Sequence, residues 1–106
     1  MIHADSSGTP ITTATTTDVT NAPAAGYHLK IYRLHASNSS GSGTWVYWLD
    51  AVDSLVYFYP VFLAANGAVS IRVNGEWELS TASALQLKTS AVCNIEWHVA
   101  YEGVKD

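Results

Sequence analysis

The stretch CNIEWHVAYE, residues 93–102, alternates apolar and polar side chains with little interruption. Successive side chains of a β-strand point to opposite faces of the sheet, so each face of this segment has its own character. The apolar face carries Cys93, Ile95, Trp97, Val99 and Tyr101. The opposite, mostly polar face carries Asn94, Glu96, His98, Ala100 and Glu102. The alternation predicts a strand of an antiparallel sheet that turns one face to the core and the other to water.

Similar short strand patterns, separated by turn signals, precede this segment. Residues 69–73 and 85–87 alternate in the same way. Asn66-Gly67 and Asn74-Gly75 each predict a hairpin turn, because type I′ turns need a positive φ at both central positions. Apolar residues do not recur convincingly at helical spacing over any ten residues. The sequence therefore predicts an all-β chain, an antiparallel β-sandwich or barrel of about eight strands.

The segment from residue 45 to residue 62 holds seven of the twelve aromatic side chains. We interpret it as two strands connected through Asp50 and Asp53, with the second strand at an edge or bulged at Pro60, which cannot donate a ladder hydrogen bond. Both faces of both strands are apolar, so one face lines the core and the other needs cover by a subunit, a ligand or an assembly. The pattern leaves open whether Trp45 or Trp48 faces the core, and assigns Tyr57 and Leu63 to it. The candidate contact residues of this segment are Trp45, Trp48, Tyr57, Phe58, Tyr59 and Phe62.

Residues 1–25 differ in composition from residues 26–106. They are rich in Thr, Ala and Ser, contain no Lys or Arg, and have few large aliphatic side chains. Such a segment cannot build a core alone, but its Thr run favours an extended strand. We therefore predict an extended N-terminal arm over 1–25 and a β-sandwich domain over 26–106. Ile11 and Val19 are the expected anchors of the arm on a neighbouring subunit; a disordered leader is the alternative.

The charge balance restricts the partners that the chain can have. A net charge of −4 with only five basic residues argues against nucleic acid and against anionic membranes. Only 13% of the residues are charged, against about 25% in typical soluble domains, which favours a protein that works inside an assembly. The single cysteine allows no intrachain disulfide and suits a protein made in a reducing compartment.

Neither the cysteine nor the histidines suggest a catalytic or metal centre. Cys93 belongs to an apolar stripe, which predicts a buried thiol, and His98 on the same strand faces the other side. His28 and His35 are seven residues apart, an odd offset that would place them on opposite faces of one regular strand.

The carboxylates suggest no catalytic pair either. Glu76 and Glu78 lie on one face beside a turn, where a solvated surface is the simplest interpretation. Asp50 and Asp53 suit a hairpin cap better than a calcium site, which needs six or more oxygen ligands. We therefore predict that the chain is not an enzyme and holds no catalytic residues, cofactor or metal ion.

The C-terminal half resembles a family of virion proteins. Its pattern is Leu63-Ala64-Ala65-Asn66-Gly67, a Trp77 and Leu79 segment, Ala84-Leu85-Gln86-Leu87, and Val99-Ala100-Tyr101-Glu102. This pattern, within a likeness over residues 26–102, resembles small β-sandwich proteins from the structural modules of tailed bacteriophages. Ala68 and Ser83 stand where those proteins commonly have glycine.

The resemblance implies a jelly-roll decoration or cement protein on the outside of a phage capsid. Such a protein is made in the host cytoplasm, forms a homotrimer and bridges subunits of the major capsid protein. Two alternatives stay open on sequence alone. One is a carbohydrate- or receptor-binding module in which Trp48 stacks on sugar rings together with Tyr57 or Tyr59. The other is a different structural component of the head or tail.

Overall fold

The chain folds as two antiparallel sheets of four strands each. The computed structural model describes residues 4–52 and 61–106, with the side chains of residues 4 and 5 excepted. Within these ranges there is no helix, and the strands are β1 (Ala4–Ser7), β2 (Thr16–Asp18), β3 (Tyr27–Asn38), β4 (Thr44–Asp50), β5 (Val61–Leu63), β6 (Ala68–Glu78), β7 (Leu85–Thr89) and β8 (Ile95–Lys105). The predicted all-β sandwich of about eight strands is confirmed.

The order of the strands is that of a jelly roll. The first sheet has the order β1-β8-β3-β6, and the second sheet has the order β2-β7-β4-β5. Along the chain, each strand is followed by a strand of the other sheet, except that β4 is followed by β5, its pairing partner in the same sheet. This connectivity is that of a long hairpin rolled into two layers. Strand β5 lies at an edge of the second sheet, one of the two outcomes expected for the strand that holds Pro60. Pro60 itself lies outside the described residues.

The N-terminal residues are part of both sheets. Strand β1 pairs with β8, and β2 pairs with β7, so residues 4–18 supply one edge of each sheet. Between these two strands, Ile11 exchanges backbone hydrogen bonds of 2.9 and 2.8 Å with Ile95. Ile11 and Val19 are buried in the core of the same chain. Their expected role as anchors on a neighbouring subunit is corrected by this placement, because their apolar surface is already covered within the protein.

The two Asn-Gly pairs do not form hairpin turns. Asn66 has φ 61°, but its turn, closed by a 2.8 Å hydrogen bond from Gly67 N–H to the Ala64 carbonyl, connects β5 of the second sheet to β6 of the first. Asn74 and Gly75, with φ 57° and 77°, lie inside the single strand β6. The prediction of hairpins was wrong at Asn66-Gly67 because that turn joins strands of different sheets. It was wrong at Asn74-Gly75 because positive φ at adjacent residues serves a bulge as well as a turn.

This bulge lies beside a second one in β3. From Ile31 to Arg33 the partner positions move from Trp77 to Arg72 on β6 and from Tyr101 to Ala100 on β8. Strand β3 therefore has one extra residue relative to β8, at Tyr32, and β6 has three extra residues relative to β3. The β3 bulge reverses the alternation, so that Ile31 and Leu34 are both fully buried although they are three residues apart.

The core lies between the two sheets and is formed by alternate residues of the strands. Its largest fully buried side chains include Trp48, Ile31, Leu34, Leu85 and Ile95. The face of β8 predicted to be buried is confirmed, because Cys93, Ile95, Trp97 and Val99 are buried and Tyr101 packs against the core. Full burial of a tryptophan removes 150–250 Å² from water, a gross stabilisation of about 4–6 kcal/mol at most.

Candidate functional site

Strand β4 divides the aromatic segment between the core and the surface. Val46 and Trp48 point inward, and Trp48 is only 1% exposed. Trp45 and Tyr47 point to the outer face of the second sheet, where 45% of the surface of Trp45 is exposed. The Trp48 face of β4 is therefore the core face. The Trp45 face is the outer one, which is exposed at Trp45, partly exposed at Tyr47 and buried at Leu49.

Phe62 of β5 extends this surface. It lies opposite Trp45 in the register, and the two rings meet edge to face with 5.3 Å between their centroids. Phe62 is 52% exposed. Its ring lies over the backbone of Gly43, where any Cβ would overlap it, so a glycine there makes room for the ring. Trp45, Tyr47 and Phe62 together are called the outer aromatic patch below.

Polar side chains continue the same face towards the other edge of the sheet. The Lys88 ammonium on β7 lies 5.8 Å from the centre of the Tyr47 ring, within the range of a cation–π contact. Next to it, the Gln86 amide donates a 2.8 Å hydrogen bond to the Asp18 carboxylate on β2. The face therefore passes from aromatic at β5 and β4 to polar at β7 and β2.

The predicted contact residues fall into three groups. Trp45 and Phe62 lie on the surface and contact each other. Trp48, like Ile11 and Val19, is buried in the protein's own core, which leaves no room for a sugar ring or another subunit at its indole. Tyr57, Phe58 and Tyr59, together with Asp53 and Pro60, lie outside the described residues. Leu63, assigned to the core, is buried there.

A second polar cluster lies at one end of the first sheet. His28 is bracketed by two carboxylates, with Nε2 2.8 Å from Glu78 and Nδ1 2.6 Å from Asp106. The hydrogen bond to Glu78, followed by that to Asp106, raises the pKa of His28. Thr81 donates a 2.6 Å hydrogen bond to Asp106, and this bond together with His28 lowers the pKa of Asp106. The cluster ties the start of β3 to the last residue of β6 and to the residue that follows β8.

Asp50, predicted to cap a hairpin, forms a buried polar anchor at the end of β4. Its carboxylate accepts hydrogen bonds from the Ser83 hydroxyl, from Ser80 N–H at 2.8 Å and from Val52 N–H at 3.1 Å. Burial alone would raise the pKa of Asp50, but these hydrogen bonds outweigh it and the pKa is lowered. The donors hold the β6–β7 connection against the end of β4, which is a structural role.

Cys93 is the buried thiol that the sequence predicts. Burial raises its pKa, and its Sγ donates to the Ile11 carbonyl at 3.3 Å. A thiol whose pKa is raised by burial is a poor nucleophile at neutral pH. Among residues 4–52 and 61–106, no three His, Cys, Asp or Glu side chains come together in a way that could hold a metal ion.

Comparisons with known proteins leave this site to be interpreted from its own geometry. The chain matches no protein-family model and no curated protein. No helix in the described residues is both long enough and apolar enough to cross a membrane.

Proposed function

We propose that this protein is a structural virion protein, a capsid decoration or cement protein that attaches through the outer aromatic patch to the major capsid protein. The observation that carries the proposal is the exposed Trp45–Phe62 pair at the edge of the second sheet. Two large aromatic rings in contact, each about half exposed, are typical of the centre of a protein interface. The low content of charged residues and the resemblance of residues 63–102 to phage β-sandwich proteins support the same function.

The size of the patch favours attachment by several copies at once. Each of the two rings has about 100 Å² left to bury, which corresponds to a gross gain of about 2.5 kcal/mol. The pair then contributes about 5 kcal/mol, close to the lower limit of the 4–15 kcal/mol that association costs. One copy would bind weakly through these residues, whereas three linked copies multiply the attachment without any new contact. A homotrimer that bridges capsid subunits is therefore part of the proposal.

Binding of a carbohydrate is the second candidate function. Trp45 and Tyr47 lie two residues apart on the same face of β4, with Lys88, Gln86 and Asp18 beside them. Aromatic faces next to a few convergent polar groups are typical of small-molecule sites. In this alternative Trp45 and Tyr47 take the place that the sequence had given to Trp48.

Capsid binding tests the proposal directly. Heads of the phage that carries this chain, prepared without it, would be mixed with the wild-type protein, with a Trp45→Ser/Phe62→Ser variant and with Tyr27→Ser. Tyr27 is a matched control because it is 41% exposed but lies at the start of β3, outside the outer aromatic patch. We expect wild type and Tyr27→Ser to bind and to raise the temperature at which heads rupture, and the double variant to bind at least tenfold more weakly.

Two further measurements separate the candidates. Light scattering should give a trimer for the wild-type protein at micromolar concentration; a monomer that binds no heads would overturn the proposal. A glycan array, read out by quenching of tryptophan fluorescence, tests the second candidate. A sugar that binds wild type and Tyr27→Ser but not Trp45→Ser would favour the carbohydrate function over the capsid function.

A further inference from the structure

Four side chains form a row across the outer face of the first sheet. In register they are Ser7 on β1, His98 on β8, His35 on β3 and Ser70 on β6. The two histidines occupy the middle of the row, directly opposite each other, and both are partly exposed. This face lies on the opposite side of the sandwich from the outer aromatic patch.

Four of the positions around the histidine pair hold small residues. Ser7 and Ser70 flank it along the row, while Ala100 and Ser37 lie beside it on β8 and β3. Side chains directly opposite on antiparallel strands have Cβ atoms about 4.5–5.5 Å apart. Two imidazoles at that separation can turn towards a common point about 2.0–2.1 Å from each ring nitrogen, the distance of a zinc–imidazole bond.

We propose that His35 and His98 form a chelating pair for Zn²⁺ or another borderline divalent transition-metal ion. Imidazole is the preferred protein ligand for Zn²⁺, Cu²⁺ and Ni²⁺, whereas Mg²⁺ and Ca²⁺ prefer oxygen ligands. An imidazole has two ring nitrogens, so each histidine can bind the ion with one nitrogen and keep a hydrogen bond at the other. Since the described residues bring no third ligand of these types to the pair, water completes the coordination.

Charges on the same face set the strength of this site. Arg33, two residues before His35, lies opposite Arg72, and both guanidinium groups disfavour a cation nearby. Glu96, two residues before His98 and opposite Ser37, favours it. The opposing charges and the small number of protein ligands give a site weaker than a closed four-ligand zinc site.

Calorimetric titration of the untagged protein with ZnCl₂ tests the pair. All proteins in the series carry His3→Asn, so that the only histidines left are His28, His35 and His98. We expect one ion per chain in this parent, and affinity at least about tenfold lower in His35→Asn and in His98→Asn. His28→Asn is the matched control and should bind as the parent does, because His28 is engaged at the end of the sheet by Glu78 and Asp106.

The second readout is independent of calorimetry. Amide resonances of the parent should shift on zinc addition at the centres of β3 and β8, and MgCl₂ should not reproduce the shifts. Thermal unfolding in EDTA establishes that each variant is folded, and His35→Gln replaces His35→Asn if the latter unfolds early. The proposal is overturned if zinc causes no heat and no shift at His35 and His98, or if both single variants bind zinc like the parent.

Discussion

His35 lies directly opposite His98 because one residue, Tyr32, bulges out of the register between β3 and β8. Before the bulge, Ile31 pairs with Tyr101. If this register continued without the extra residue, His35 would lie opposite Trp97 and its side chain would face the core. The bulge moves the pairing by one residue and therefore exchanges the two faces of β3. The extra residue Tyr32 thus decides which side chains of β3 after the bulge face the core. It also decides that His35 and His98 lie side by side on the surface.

The adjacent bulges in β3 and β6 depend on Gly75, and replacement of Gly75 tests that dependence. A Cβ at Gly75 would lie 2.8 Å from Lys30 Cε and 3.1 Å from Tyr32 Cε1, at a φ of 77° that other residues adopt only at a cost. We expect Gly75→Ala to lower the free energy of unfolding by about 1–3 kcal/mol in urea titrations. Gly103→Ala is the control, since no atom lies within 4 Å of its Cβ position, and should change stability by about 0.5 kcal/mol or less. Equal effects of the two changes would contradict the role assigned to Gly75.

The division of β4 between core and surface predicts opposite behaviour for its two tryptophans. Trp48→Ala removes a fully buried indole and should cost about 3–5 kcal/mol of unfolding free energy. Trp45→Ala removes a half-exposed ring and its contact with Phe62, and should cost about 1 kcal/mol or less. Chemical denaturation of both variants measures the difference. Comparable losses would show that Trp45 is covered within the monomer.

The stability that Asp50 contributes to the fold should decrease at low pH. Its pKa is lowered in the folded protein, so its contribution is present above the ordinary value of 3.8 and is lost as the pH falls through the lowered value. We expect Asp50→Asn to lower the unfolding free energy at neutral pH by about 1.5–3 kcal/mol, the typical loss of hydrogen bonds to a charged group. The wild-type and Asp50→Asn curves of stability against pH should converge in acid, and Asp18→Asn, which changes an exposed carboxylate, is the control variant. Parallel curves for wild type and Asp50→Asn would rule out this source of acid sensitivity.

The stability that His28 contributes to the fold should instead decrease as the pH rises. Because its pKa is raised by Glu78 and Asp106, its stabilising effect is complete below the ordinary histidine value of 6.5 and is lost as the pH rises through the raised value. We expect His28→Gln to lower the melting temperature most at mildly acidic pH and least at alkaline pH. His35→Gln, measured in EDTA, is the control variant. A melting-temperature difference between wild type and His28→Gln that grows as the pH rises would be the wrong sign for this ion-pair cluster.

The sequence predicts local strand character well and register poorly. The buried face of β8 follows from simple alternation, and so does the burial of Cys93. Trp45 and Trp48 could not be told apart, because both faces of their strand are apolar and only the position of the neighbouring sheet decides between them. Asn74-Gly75 has the composition of a turn and also that of a bulge, and the strand paired with it decides which one forms.

The candidate sites, too, depend on strand register, which the sequence predicts poorly. The partial exposure of Trp45 and Phe62 depends on their pairing at the edge of the second sheet, although their aromatic composition marked them in the sequence. The His35–His98 pair left no signal, because the two residues are 63 positions apart and only the bulged register joins them. Likewise, the partners of His28 come from β6 and from the residue after β8.

The pairing of β1 with β8 and of β2 with β7 also affects the order in which the sheets can form during synthesis. Strands β1 and β2 are synthesised before the other six described strands, yet their partners β8 and β7 are the last described strands to be synthesised. Strands β1 and β2 therefore stay unpaired until β7 and β8 have emerged, and such non-local pairing makes folding slow. Until then the N-terminal strands of one nascent chain are open to the β7 and β8 of another. Dilute, slow synthesis should accordingly favour chains that pair with their own first strands, and crowded synthesis should favour chains that exchange these strands.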